Sequence, residues 1–116
     1  MAAVETTVLV VDDQDIVRDV VKLALEGAGF RVLETSSPVE AIALAREWRD
    51  DIRLLVTDVV MPEMDAFELA EHVRREIPGL RVLYTSGYAD ARAEGAFLAK
   101  PFSPSQLVEQ VNALLV

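Results

Sequence analysis

The sequence predicts an α/β fold in which a parallel sheet is covered by helices on both faces. Two observations carry that expectation. Short apolar runs alternate with stretches of helical periodicity along the chain, with no internal repeat, linker or low-complexity tract. The run Leu54-Leu55-Val56-Thr57-Asp58-Val59-Val60-Met61-Pro62 is apolar and partly β-branched, as befits a strand buried on both faces. A length of 116 residues suits one domain, residues 1–116, with a core of its own.

Each element has a local reason. Thr7-Val8-Leu9-Val10-Val11 is a buried strand that runs straight into Asp12-Asp13. From Asp15 a helix follows, with Ile16, Val20, Leu23 and Val17, Val21, Ala24 at helical spacing. Gly27, with Gly29 close behind, suits a left-handed stop. Phe30 to Thr35 reads as a second strand with weaker alternation. Ser37-Pro38-Val39-Glu40 is a capping box with proline at the first helical position, and Ala41, Ile42, Ala45 and Trp48 face inward from its helix. The central strand delivers Asp58 to its C-terminal tip before Pro62 stops it. A helix from about Asp65 to Glu76 ends at Pro78-Gly79. Arg81 to Thr85 is the fourth strand, leading into Ser86-Gly87, and Ala96-Phe97-Leu98 is a short fifth, leading into Lys100-Pro101. Ser103-Pro104-Ser105-Gln106 is a second capping box, opening a helix with Leu107, Val108, Val111, Leu114 and Leu115 at helical spacing. The βα rhythm falters between Ser86 and Ala96, where there is room for one or two helical turns at most.

Composition excludes several functions. A net charge of −9 offers no basic stripe for nucleic acid and disfavours anionic membrane surfaces. Without cysteine there is no disulfide, thiolate metal site or thiol nucleophile. Met1 to Glu5 carries no secretion signal and no apolar run reaches membrane-spanning length, so the cytoplasm is the expected compartment. His72, the one histidine, sits among Glu71, Arg74, Arg75 and Glu76 and reads as a solvated helix residue.

In an open parallel sheet, ligands bind outside the carboxyl ends of the strands. Asp12, Asp13, Asp58 and Ser86 would converge there, with Lys100 following the fifth strand. Three carboxylates together repel one another unless a cation compensates. Mg²⁺ is such a cation, bound through one or two carboxylates, waters and phosphate oxygens. The lysine and hydroxyl would hold phosphoryl oxygens, and a spare carboxylate could attack phosphorus.

Four segments in order over nearly the whole chain resemble the receiver domains of bacterial two-component response regulators. They are Val8-Leu9-Val10-Val11-Asp12-Asp13, Asp58-Val59-Val60-Met61-Pro62-Glu63-Met64-Asp65, Tyr84-Thr85-Ser86-Gly87-Tyr88 and Phe97-Leu98-Ala99-Lys100-Pro101-Phe102. The resemblance implies a flavodoxin-like doubly wound sheet of five strands in the order 2-1-3-4-5. It implies that Asp58 is the phosphoacceptor, fed by a histidine kinase or histidine phosphotransfer protein and read by a downstream protein. Asp13, Asp58 and the Val60 carbonyl would bind Mg²⁺ directly, and Asp12 through water. Ser86 and Lys100 would hold the phosphoryl group, Phe97 would be the switch aromatic, and Lys100-Pro101 is a candidate cis bond. Val60 and Tyr88 would flank the path of hydrolytic water and slow the loss of the phosphoryl group. Such a chain is a signalling module, catalysing only its own phosphorylation and dephosphorylation.

Two departures stand out. Ala66 occupies a position where the family usually has glycine, which leaves the loop's φ values in question. The short Ser86–Lys100 interval implies a shortened or missing fourth helix. The Ser-Gly-Tyr after the fourth strand is similar to receivers attached to hybrid histidine kinases. Two alternatives stay open: a receiver-like binding module that works without phosphorylation, and an aspartyl-phosphate phosphohydrolase built on the Asp13/Asp15 spacing.

Overall fold

The computed structural model describes residues 6–87 and 96–116. Strands β1 (Thr7–Val11), β2 (Arg31–Thr35), β3 (Ile52–Asp58), β4 (Arg81–Ser86) and β5 (Ala96–Ala99) form one sheet in the order β2-β1-β3-β4-β5. All four pairings are parallel. The doubly wound architecture expected from the sequence is the one found. Among the described residues there are four helices: α1 (Asp15–Gly27), α2 (Pro38–Glu47), α3 (Ala66–Glu76) and α4 (Pro104–Leu115). None of them is long and apolar enough to cross a membrane. The shortened or missing fourth helix falls on residues 88–95, outside the described residues.

The strands' alternation divides the core in two. Leu9, Val11, Leu55, Val82 and Tyr84 face the side covered by Ala41 and Ala45 of α2 and by Leu69, Ala70 and Val73 of α3. Val8, Val10, Leu54, Val56 and Leu83 face the side covered by Val21 and Leu25 of α1 and by Leu107 and Val111 of α4. Because β1, β3 and β4 are buried on both faces, their apolar runs are nearly continuous. One irregularity breaks the β1–β3 register: Thr7 pairs with Ile52 but Val8 pairs with Leu54, so the exposed Arg53 is an extra residue on β3.

The caps behave as their chemistry requires. Ser37 accepts from the Glu40 amide at 3.2 Å, and Asp65 Oδ1 accepts from both Phe67 and Glu68 amides at 3.0 and 2.9 Å. Ser103 and Gln106 form a complete reciprocal box.

Three local details refine the sequence reading, and the left-handed stop placed at Gly27 is corrected. The α1 stripe of Ile16, Val20 and Leu23 is not core: Ile16 is 80% and Leu23 71% exposed. Only one face of α1 meets the sheet, and Val17, Val21 and Leu25 supply it. The left-handed residue behind α1 is Gly29 (φ 95), while Gly27 closes the last helical turn. Ala66 is simply the first residue of α3, fully buried, and the left-handed conformation in that loop falls on Glu63 (φ 74).

Candidate functional site

Parallel strands all end on the same side, so their C-terminal residues share one edge. There β1 hands over to Asp12 and Asp13, β3 ends in Asp58, β4 ends in Ser86, and β5 leads to Lys100. Asp12 and Asp58 are buried, 3% and 7% exposed, and Ser86 is buried as well, whereas Asp13 is open to solvent. Asp12, Asp13 and Asp58 each bring a carboxylate oxygen within 4.8 Å of the others. Lys100 Nζ lies 3.3 Å from Asp12 Oδ2, 3.4 Å from Asp58 Oδ2 and 3.2 Å from Gln14 Oε1. The Lys100 amide donates to the Ser86 carbonyl at 2.8 Å, and the Lys100-Pro101 bond is cis.

Asp13, Asp58, Ser86 and Lys100 line a cleft of about 460 Å³ together with Gln14, Val60 and Gly87, and Asp12 lies buried behind it against Lys100. Burial, above all, pushes the Asp58 carboxyl up from its ordinary range; Lys100 opposes that, Asp12 adds to it, and a bond from the Val60 amide again opposes it. The Val60 side chain stands at the rim, 62% exposed. The loop behind it is pinned: the Val59 amide donates to Thr85 O at 2.9 Å, and the Met64 amide to Pro62 O at 2.8 Å. Among the described residues, oxygen donors in excess over one ammonium suit a hard divalent cation, and Asp13, which faces water, leaves such an ion room to keep part of its hydration.

The structure brings Asp13, Asp58, Val60, Ser86 and Lys100 to one cleft, with Asp12 grouped beside Asp13 and Asp58. Phe97 is elsewhere: it is half-buried beside Tyr84, its register partner on β4, and packs against the α2/α3 side of the core. Tyr88 lies outside the described residues. His72 is half-buried on α3 and takes no part in the cleft, so it is less solvated than its charged neighbours suggest. Asp15, the second acid of the phosphohydrolase spacing, instead pairs with Arg18 Nη2 at 2.6 Å on the outside of α1. Sequence reasoning missed Gln14 and Arg18. Arg18 Nη1 donates to the Asp12 carbonyl at 2.8 Å and its Nε to Glu34 Oε1 at 3.3 Å. An arginine one turn into a helix whose preceding loop is doubly acidic was the available signal.

Comparison with known proteins agrees with this geometry. The family profile of the response regulator receiver domain matches residues 8–112. The sensor kinase CckA of Brucella abortus is 39% identical over a stretch covering 94% of this chain, which spans only 12% of that protein. The response regulator receiver protein CpdR of the same organism is 35% identical, with 90% of this chain and 92% of that protein covered. Among solved structures, the receiver domain of the hybrid histidine kinase CckA superposes with a TM-score of 0.86 at 34% identity, covering 95% of this chain and 99% of the other. The chemotaxis protein CheY4 of Vibrio cholerae superposes with a TM-score of 0.87 at 27% identity, covering 95% and 98%.

Proposed function

The chain belongs to the response regulator receiver family, as a receiver domain of a two-component system, and from that premise we propose that it takes a phosphoryl group on Asp58 from the phosphohistidine of a partner kinase or phosphotransfer protein. The observation that carries this reading is the convergence of three carboxylates and one lysine on a single open cleft. In the transfer, an Asp58 carboxylate oxygen bonds to phosphorus while the P–N bond breaks. The imidazole nitrogen keeps the electron pair, and the product is an acyl phosphate. The work left to the protein is positioning and charge neutralisation.

Mg²⁺, when bound by Asp13, Asp58 and the Val60 carbonyl and through water by Asp12, supplies neutralisation of the phosphoryl oxygens. Lys100 already stands between Asp12 and Asp58 and pairs with a phosphoryl oxygen once one arrives. Ser86, at the end of β4, donates to another, and the movement of its strand end is passed to Phe97 on the neighbouring β5. Val60 at the rim shields the acyl phosphate from water, a role the family resemblance also implies for Tyr88. The donor seats on an apolar groove of about 340 Å³ lined by Ile16, Val17, Val20, Pro101 and Phe102, which shares Lys100 with the cleft. That contiguity, and the solvent-facing stripe of α1, support the assignment. The module acts in the cytoplasm on a downstream protein, without direct contact with nucleic acid or membrane, and residues 1–116 work as one unit.

Intact mass after incubation with a small-molecule phosphodonor and Mg²⁺ tests the reading. The expected result is one phosphoryl adduct that is lost on chelation of the metal and in Asp58→Ala. A folded wild-type chain that takes no adduct would instead favour a binding module that works without phosphorylation.

A further inference from the structure

Arg18 has no part in the chemistry above, yet it ties the acidic loop to two other elements. It sits one turn into α1 with 14% of its side chain exposed. Its three bonds go to three places: the Asp12 carbonyl in the loop, Glu34 on β2, and Asp15 at the start of α1. The Asp12 carbonyl belongs to the peptide that joins Asp12 to Asp13. Since that peptide is planar, fixing its oxygen fixes the plane from which both carboxylates depart. Asp12 is held further by its own amide bond to Thr35 O at 3.3 Å and by its Oδ1, which accepts from the Gln14 amide at 2.9 Å. Asp13 carries no comparable tether among the hydrogen bonds described, so its direction is inherited from that shared peptide.

Glu34 is the other half of the device. One of its oxygens accepts from Arg18 Nε; the other is enclosed, with Lys22 Nζ 3.5 Å away. Glu34 is thus fixed to β2, and it aims a planar guanidinium whose donors point in set directions. A lysine has the same charge but no such fork.

We infer that Arg18, anchored by Glu34, is a positioning residue for the Asp12–Asp13 pair: it sets the direction in which these carboxylates meet Asp58, and through that the affinity of the cleft for a divalent cation, without touching the ion. This rests on the reading of the cleft as a Mg²⁺ site. Charge and positioning make opposite predictions here. As a nearby cation, Arg18 opposes Mg²⁺ binding, so its removal would tighten binding if only charge mattered. As a clamp, its removal loosens the ligands and weakens binding, typically by 10-fold or more for partners behind metal ligands.

The experiment is a Mg²⁺ titration of the full chain, followed by calorimetry and by the amide resonance of Asp13, on wild type, Arg18→Met and Arg18→Lys, at a temperature where each is folded. The expected result is Mg²⁺ affinity weakened about 10-fold in Arg18→Met and severalfold in Arg18→Lys. Unchanged or tighter binding in folded Arg18→Met overturns the inference. Should that variant not fold, wild-type affinity in Arg18→Lys overturns it equally, because the charge is kept and only the fork is lost. Absence of Mg²⁺ binding by the wild type would remove the underlying site reading as well, and is told apart by that first titration.

Discussion

At the N-terminal end of the strands, Glu76 receives Arg46 Nε at 2.8 Å and Arg49 Nη2 at 3.3 Å, Arg53 donates to the Asp50 carbonyl at 2.9 Å, and Arg31 lies over the Trp48 ring, 4.4 Å from its centroid. At the opposite end, Lys100 is the one cation among the described residues that stands between the buried Asp12 and Asp58, with Asp13 beside them. The first end places its arginines where helix C-termini carry partial negative charge, and water screens what is left. The second holds carboxylates out of water with too little positive charge to balance them. The difference teaches where the fold is optimised for stability and where it is held short of that for a task. One end is complete as it stands, and on the function proposed above the other is completed by a bound cation.

Neutralising one carboxylate should therefore have opposite signs at the two ends. In metal-free buffer at neutral pH, Asp58→Asn is expected to raise unfolding stability, because burial disfavours the charged carboxylate that it replaces. The sign follows from linkage. Burial raises the folded-state pKa of Asp58 above 3.8, so stability is fullest while the acid is protonated and falls as pH rises through the folded pKa. The asparagine advantage should thus shrink on acidification, and urea melts at several pH values would reveal it. If Asp58→Asn proves no more stable than wild type at pH 7, the contrast between the ends breaks down. Glu76→Gln should go the other way, losing about 0.5 kcal/mol by the same melts, because its partners are exposed arginines. A gain there would place both ends in one class.

The smallest effect concerns Tyr84, buried between the ends with its ring 4.8 Å from that of Phe67. Burial, partly opposed by Arg74, raises its phenol above 10.0. Stability should therefore be full below that pH and decline as the solution rises through the folded pKa. A phenolate absorbance titration should show a late step that Tyr84→Phe removes; a variant retaining that step would assign it elsewhere.

Much of this was legible in the sequence, and the limits have physical causes. The strands were readable because burial on both faces leaves no polar alternation to confuse the pattern, and the acids because strand ends carry them to one edge. The exposure of Ile16 and Leu23 was not legible, because helical spacing reports a face without saying what covers it. Glu63 was invisible because nothing in glutamate announces a left-handed backbone; the surrounding loop imposes it. Arg18 was missed because its contact with Glu34 spans sixteen residues of chain and crosses from helix to strand. The fold was written in local pattern, whereas these details depended on contacts between distant segments.

The extra residue on β3 has a consequence for how such a chain can change in length. Side chains on a strand alternate with a period of two, so an odd insertion or deletion turns every later residue over. Arg53 already absorbs one offset at the N-terminal end, and a length change before Ile52 merely alters the connection from α2. The same event between Leu54 and Asp58 would exchange the two core faces and swing Asp58 away from Asp12 and Lys100. A change of length is therefore absorbed before the bulge and displaces the site after it, because the position of Asp58 is counted from Leu54 onward.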